Sequence, residues 1–247
     1  TVMASFYPLK YLAEKVGGEH VTVTSLTPDG AEPHDLELSP KMVDSLASAD
    51  AVVYLAGFQG AVDEAIEQHA PTTVIDVSSA AQLVAIDSTS NHPGEDEGTD
   101  EAQSGEAQSG KAQSGEAAAH NHEGHEHEGH DHEHADHDHH HDMSMDPHFW
   151  LDPARMANAA TLVGDKLAEA DPTNAETYKA NAQALNKELT SLGDNLVTKT
   201  STCQIKTFVT AHTAFGYLAD RTGLTQVGIS GLDPESSPSP ARLAEIG

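Results

Sequence analysis

The chain of 247 residues carries 40 Asp/Glu against 12 Lys/Arg, a formal net charge of −28 with histidines neutral. A basic footprint for nucleic acid is absent, and phosphate backbones and anionic membranes are repelled. Cys203 is the sole cysteine, which excludes an internal disulfide and a cysteine-built zinc site, and no apolar run approaches the roughly 20 residues of a membrane-spanning helix.

The first part of the chain alternates strand and helix signals. Residues 2–6 read as a short buried strand, and a start in this apolar segment without a leading Met fits a processed or trimmed chain with its signal peptide gone. Pro8 opens a helix whose apolar residues Leu9, Leu12, Ala13 and Val16 recur at helical spacing, and Gly17 and Gly18 stop it. Residues 21–26 alternate Val and Thr as a second strand. A loop over 27–38 carries Pro28, Gly30, Pro33 and His34, and Ser39 with Pro40 caps a helix to about Ala47. Strand 51–55, helix 60–69 and strand 72–77 complete the block. Strands alternating with short helices predict a parallel sheet covered on both faces.

The composition then changes. Residues 92–142 hold fifteen Asp/Glu against the single Lys111, which is half of the net charge. All aromatic residues lie outside 88–145. Residues 101–115 are three pentapeptides, E-A-Q-S-G twice and K-A-Q-S-G once, and they lead into a tract with imidazoles every two or three positions among carboxylates. Those histidines are His120, His122, His125, His127, His130, His132, His134, His137, His139, His140 and His141. The segment buries too little apolar area to offset chain entropy, so a disordered loop is expected over 88–145.

Order is expected to resume at Asp146. Asp152 caps a helix with Pro153 at its first position and a stripe of Met156, Ala159, Ala160, Val163 and Leu167. Asp171 and Pro172 open a much longer helix, its face formed by Tyr178, Ala182, Leu185, Leu189, Leu192 and Leu196 and interrupted at Gly193. About 28 residues at a rise of 1.5 Å give a rod of roughly 42 Å, long enough to brace two lobes. Strand 207–210, helix 213–222 closed by Gly223, and strand 224–229 begin a second lobe of the same design. Ser239 and Pro240 start a further helix that reads as cut short at Gly247. The expected class is α/β, two lobes of parallel sheet flanked by helices and joined by one long helix, with the His/acid-rich loop inserted in the first lobe. The boundaries are 1–171, 172–200 and 201–247.

Three isolated histidines share a context. His34 lies in the loop after the second strand, His148 in D-P-H-F-W-L-D-P before a capped helix, and His212 in A-H-T-A-F-G-Y directly after strand 207–210. In open α/β sheets ligands bind beyond the carboxyl ends of strands. Three neutral imidazoles plus one further group complete a tetrahedron around Zn²⁺, although by spacing alone each histidine also serves as a capping or hydrogen-bonding residue. The His tract tips the reading toward metal handling. It is neither terminal nor an uncharged run, as an affinity tag would be.

The sequence also resembles the periplasmic solute-binding proteins of metal-ion ABC transporters, and within them the ZnuA-like zinc-binding proteins. The segments A-S-F-Y-P-L, L-T-P-D-G-A-E-P-H-D-L-E-L-S-P, D-P-H-F-W-L-D-P and A-H-T-A-F-G-Y-L-A-D-R-T-G-L carry the likeness, together with the His-rich loop. The resemblance implies two α/β lobes with metal between them and His34, His148 and His212 as zinc ligands. As fourth ligand it implies an Asp or Glu from the distal part of the second lobe, past residue 247, or in its place Glu32 or a water. It further implies Zn²⁺ as cargo, a membrane permease and ATPase as partners, a periplasmic monomer, and a lower-affinity collecting or sensing role for the loop. Manganese-binding relatives tend to carry Glu where this chain has His212, and an imidazole there argues for zinc. Three alternatives are a manganese carrier, a three-His zinc hydrolase, and a metal buffer or adhesin-like protein whose tract is the whole function. The hydrolase lacks an H-E-x-x-H helix, a nucleophile elbow, and a general base beyond Glu32. Phe149, Trp150, Phe215 and Tyr217 are expected to pack near the site. Cys203 is expected as a buried small residue, or as half of a disulfide with a residue beyond 247.

Overall fold

The computed structural model describes residues 1–69, 71–87, 91–92, 144–235, 237–238, 240 and 243–244. The chain divides into residues 1–96 with 141–247, and residues 97–140. The second unit holds ten of the eleven clustered histidines; it and His141 lie outside the described residues, as does most of the expected helix after Ser239.

Four parallel strands, β1 (Val2–Ala4), β2 (Val23–Ser25), β3 (Ala51–Tyr54) and β4 (Thr73–Asp76), form one sheet in the order β2-β1-β3-β4. Side chains alternate across it as the pleat requires. Val2, Ala4, Ala51 and Val53 face a core that includes α1 (Tyr7–Gly17), whereas Met3 and Val52 face α2 (Pro40–Ala47) and α3 (Gly60–His69). The helices therefore cover both faces. A four-residue helix, α4 (Ser78–Ala81), follows β4 and was too short to show a period in the sequence.

Two antiparallel neighbours close the α1 face. Helix α5 (Pro153–Ala170) is capped by Asp152, whose carboxylate accepts from the Ala154 amide at 2.9 Å, and all five stripe residues are buried. The long helix begins later than its Asp-Pro signal. Asp171 accepts from the Thr173 amide, Asn174 and the Tyr178 hydroxyl, which stabilises a tight turn over Pro172–Asn174 before α6 (Ala175–Ser201).

The predicted apolar face of α6 holds only in its first half. Tyr178, Ala182, Leu185 and Leu189 are buried, but Leu192 is 48% exposed and Leu196 half-buried. Gly193 does not interrupt the helix. It is buried because the Arg221 guanidinium packs there, where a Cβ would lie 2.6 Å from Nη2. That contact, rather than a leucine seam, governs the approach of the next helix.

A second parallel pair, β5 (Thr207–Thr210) and β6 (Thr225–Gly228), is joined by α7 (Gly216–Thr222). The helix predicted from residue 213 starts at Gly216 because the amides ahead of it bond elsewhere, Thr213 to Gly231 O and Phe215 to Gln226 Oε1. The expected loop over 88–145 is folded at its described edges. Ala85 bridges Met145, the Ile86 amide donates to Ser144 O, and His92 is buried. Cys203 is exposed rather than buried. Among the described residues no helix is long and apolar enough to cross a membrane.

Close packing of α5 on α6 depends on Gly164, where an added Cβ would lie 2.5 Å from Ala182 Cβ. Gly164→Ala improves helix propensity by about 1 kcal/mol, yet forcing two packed helices apart costs about 1–3 kcal/mol. A lowered denaturant midpoint at unchanged slope is the expected outcome, and a raised midpoint would contradict the packing.

Candidate metal centre

Each of the three histidines is delivered by backbone pinned close to it. His34 sits in the loop after β2, whose start is tied to β1 by Thr27, with amide and hydroxyl both donating to Ser5 O at 3.0 and 2.7 Å. Gln59, beyond the carboxyl end of β3, donates to Thr27 Oγ1 at 3.0 Å and to Pro33 O at 2.9 Å. Order reverses between β1 and β3 in this sheet, so the loop occupies the crevice where open α/β sheets place ligands. His212 follows β5, with its carbonyl accepting from Thr210 Oγ1 at 2.7 Å, the Thr213 amide donating to Gly231 O and Ala211 O accepting from the Ser230 amide.

His148 stands at the start of the tight turn Phe149–Leu151 and is 1% exposed. Its amide and its Nδ1 both donate to Asp146 Oδ1, at 2.9 and 2.8 Å. Because the carboxylate only accepts, the ring proton is on Nδ1 and Nε2 presents its lone pair. That Nε2 lies 3.2 Å from His34 Nε2. Two nitrogens bound tetrahedrally to one Zn²⁺ at about 2.0–2.1 Å would stand roughly 3.3 Å apart.

One potential ligand atom from each of His34, His148 and His212 lies within 4.8 Å of the other two. The rings meet at centroid distances of 5.2, 6.2 and 5.5 Å for the pairs 34–148, 34–212 and 148–212. Residues 34, 148 and 212, remote in the chain, thus converge on one point.

Electrostatics disfavours protonation of His34 and His212. Burial, reinforced by the neighbouring His148 and His212, pushes His34 down to about 4. His212 is also lowered, first by burial and then by His148, while Glu32, Asp233 and Asp146 oppose the shift. Lone pairs are therefore available at neutral pH, and nearby carboxylates favour a cation at the common point.

Glu32 is not part of the cluster. Its Oε1 accepts from the His34 amide at 3.1 Å, which shapes the loop. Of the aromatics expected near the site, Trp150 packs against His148 at 5.1 Å. Phe149 is buried in the core, and Phe215 faces Phe208 instead. Tyr217 acts from behind, donating its hydroxyl to Asp146 O at 2.6 Å and accepting from the Val84 amide at 2.8 Å. Sequence reasoning missed Phe58, 4.9 Å from His34, and Asp146. Position after a strand end was the available signal for Phe58. For Asp146 it was the carboxylate two residues before His148 in D-P-H.

In the metal-free chain, His34 is expected to titrate near pH 4 by NMR, and His148→Ala should raise that value part of the way, since burial remains. The unfolded chain binds a proton below its ordinary 6.5 that folded His34 refuses until about 4, so this group makes stability fall as pH drops through that window. His34→Asn should remove that part of the acid slope in denaturant midpoints.

The sequence profile described as "ZnuA: Zinc-uptake complex component A periplasmic" matches residues 2–247. The chain is 33% identical to the zinc-binding lipoprotein AdcA of Streptococcus pneumoniae, over 99% of its own length and 42% of the relative's. It is 31% identical to the high-affinity zinc uptake system protein ZnuA of Bacillus subtilis, over 99% and 65% of the two lengths. The chain thus spans less than two thirds of either relative. The crystal structure of Zn(II)-bound AdcA from Streptococcus pneumoniae superposes with a TM-score of 0.67 at 27% identity, covering 99% of this chain and 42% of that one. Matched along nearly all its length, the chain belongs to the ZnuA family of periplasmic zinc-uptake components, a transport family rather than one of enzymes.

Proposed function

We propose that the chain captures one Zn²⁺ through Nε2 of His148 and ring nitrogens of His34 and His212, for delivery to a membrane permease driven by an ATPase. The convergence of three imidazoles within 4.8 Å carries this reading. Neutral imidazole is a borderline-soft donor that suits Zn²⁺ better than the oxygen-preferring Mn²⁺. A water completes the tetrahedron, or Glu32 once its bond to the His34 amide is released. Family membership and the zinc named in the relatives support the choice of metal and the uptake role.

In this reading residues 1–171 and 201–247 belong to two lobes linked by the helix over 172–200, and the ion lies between them. The protein acts as a monomer and outside the cytoplasm, a location with which the periplasmic family description and the lipoprotein relative accord. The histidines from His120 to His141, with their carboxylates, collect or sense Zn²⁺ with lower affinity than the cleft.

Calorimetric or chelator-competition titration tests the assignment. His34→Ala, His148→Ala and His212→Ala should each weaken the tightest site by more than the about 10–100-fold typical of outer-shell changes. A chain lacking residues 97–140 should keep one tight site and lose only weak binding. Loss of all tight binding with that deletion would place the function in the tract and refute the cleft.

A further inference from the structure

His92 takes no part in the three-imidazole cluster, yet it is 1% exposed and has a carboxylate at each ring nitrogen. Nδ1 donates to Asp146 Oδ2 at 2.5 Å and Nε2 to Asp220 Oδ2 at 2.8 Å. A ring that donates from both nitrogens is an imidazolium. Burial opposes that charge, but the hydrogen bonds it donates to the two carboxylates and their negative field outweigh it and raise His92 above its ordinary value. The ring packs on Tyr217 at 4.6 Å, and its backbone carbonyl accepts from the Asp87 amide at 2.6 Å.

Helix α7 is built around this ring. Gly216 begins the helix, where a Cβ would come within 2.7 Å of His92 Cε1. Asp220, on the same helix, also accepts from Asn91 Nδ2 at 2.8 Å, and the adjacent Arg221 pairs with Asp152, the cap of α5, at 3.2 Å. One face of α7 therefore meets the turn that carries His148, while its amino end continues the segment that carries His212.

We propose that His92 is a positioning residue for the metal centre. By bridging Asp146 and Asp220 it locks the carboxylate that orients His148 to the helix that follows His212, so that two of the three donors are held at a fixed separation before the ion arrives. This inference rests on the zinc reading of the preceding subsection. A ring that only filled space would not need an acceptor at both nitrogens, nor a glycine to bring α7 against it. Metal-bound histidines depend on just such outer-shell carboxylates for their tautomer and direction.

The test uses the full chain. Zn²⁺ is added below one equivalent against a chromophoric chelator, so that only the tightest site fills, and Co²⁺ at one equivalent is followed by its visible absorption. His92→Ala should weaken the tight site about 10–100-fold and shift the Co²⁺ band. Asp220→Ala, at a half-exposed position, should weaken it by a smaller factor and remains readable if His92→Ala does not fold. The double variant should lose little beyond His92→Ala, because both act through one chain of contacts. His92→Gln, which keeps a donor toward Asp146, should recover part of the affinity. Lower melting temperatures with affinity and Co²⁺ spectrum unchanged, or fully additive losses, would overturn the proposal alone. A chain with no tight site would overturn the zinc reading and this inference with it.

Discussion

Asp146 is fully buried, and an ionised carboxylate is sustained there because each of its oxygens meets a histidine nitrogen. Burial raises its pKa, but the bonds from His148 and His92 outweigh that cost and leave the group below its ordinary value. An unpaired buried charge costs several kcal/mol, so the carboxylate and its two rings form or fail together. The geometry of the metal centre follows from this pairing. It decides which nitrogen of His148 carries the proton, and hence which lone pair faces His34 and His212.

The three ligand candidates are held in different ways. His148 has a buried carboxylate behind it, with Tyr217 bracing the Asp146 backbone. His34 rests on Phe58 and on a loop stitched to β1 by Thr27 and to Gln59 by its flanking carbonyl. His212 is fixed by main-chain bonds at the ends of β5 and β6. Crowding three rings where water is partly excluded raises the free energy of any protonated state, and a divalent cation relieves that crowding by taking the lone pairs. The site thus disfavours protons, and in the proposed zinc reading the carboxylates of Glu32 and Asp233 add to its attraction for the metal.

Helix α7 links this centre to the rest of the chain. Through Arg221 it reaches the cap of α5 and the glycine of α6, and through Asp220 it reaches His92. These polar contacts compensate for what the leucines of α6 do not do, since Leu192 and Leu196 leave the distal half of that helix without an apolar seam. The described edges of the inserted segment join the same network, because Asn91 and His92 on one side and Met145 and Asp146 on the other are bonded into it.

Local chemistry was legible in the sequence wherever it had a period or a cap. The parallel strands, Ser39 and Asp152 as caps, the stripe of α5 and the long helix could all be read from spacing, since burial on one face imposes it. His34, His148 and His212 stood out because each follows a strand or precedes a helix, and the family likeness reinforced them. Sequence by itself therefore determined the elements, the charge and the candidate donors. Only the tertiary structure decided that those donors share one point, that Phe58 rather than Phe215 lies beside them, that Glu32 bonds to backbone, and that His92 belongs to the scaffold rather than to the charged insert beside which it is written. The physical reason is that such contacts depend on proximity in space rather than on spacing: His34 with His148 and His92 with Asp220 stand more than 100 positions apart, and neither these nor the single contacts of Phe58 and Glu32 leave a periodic trace in the chain.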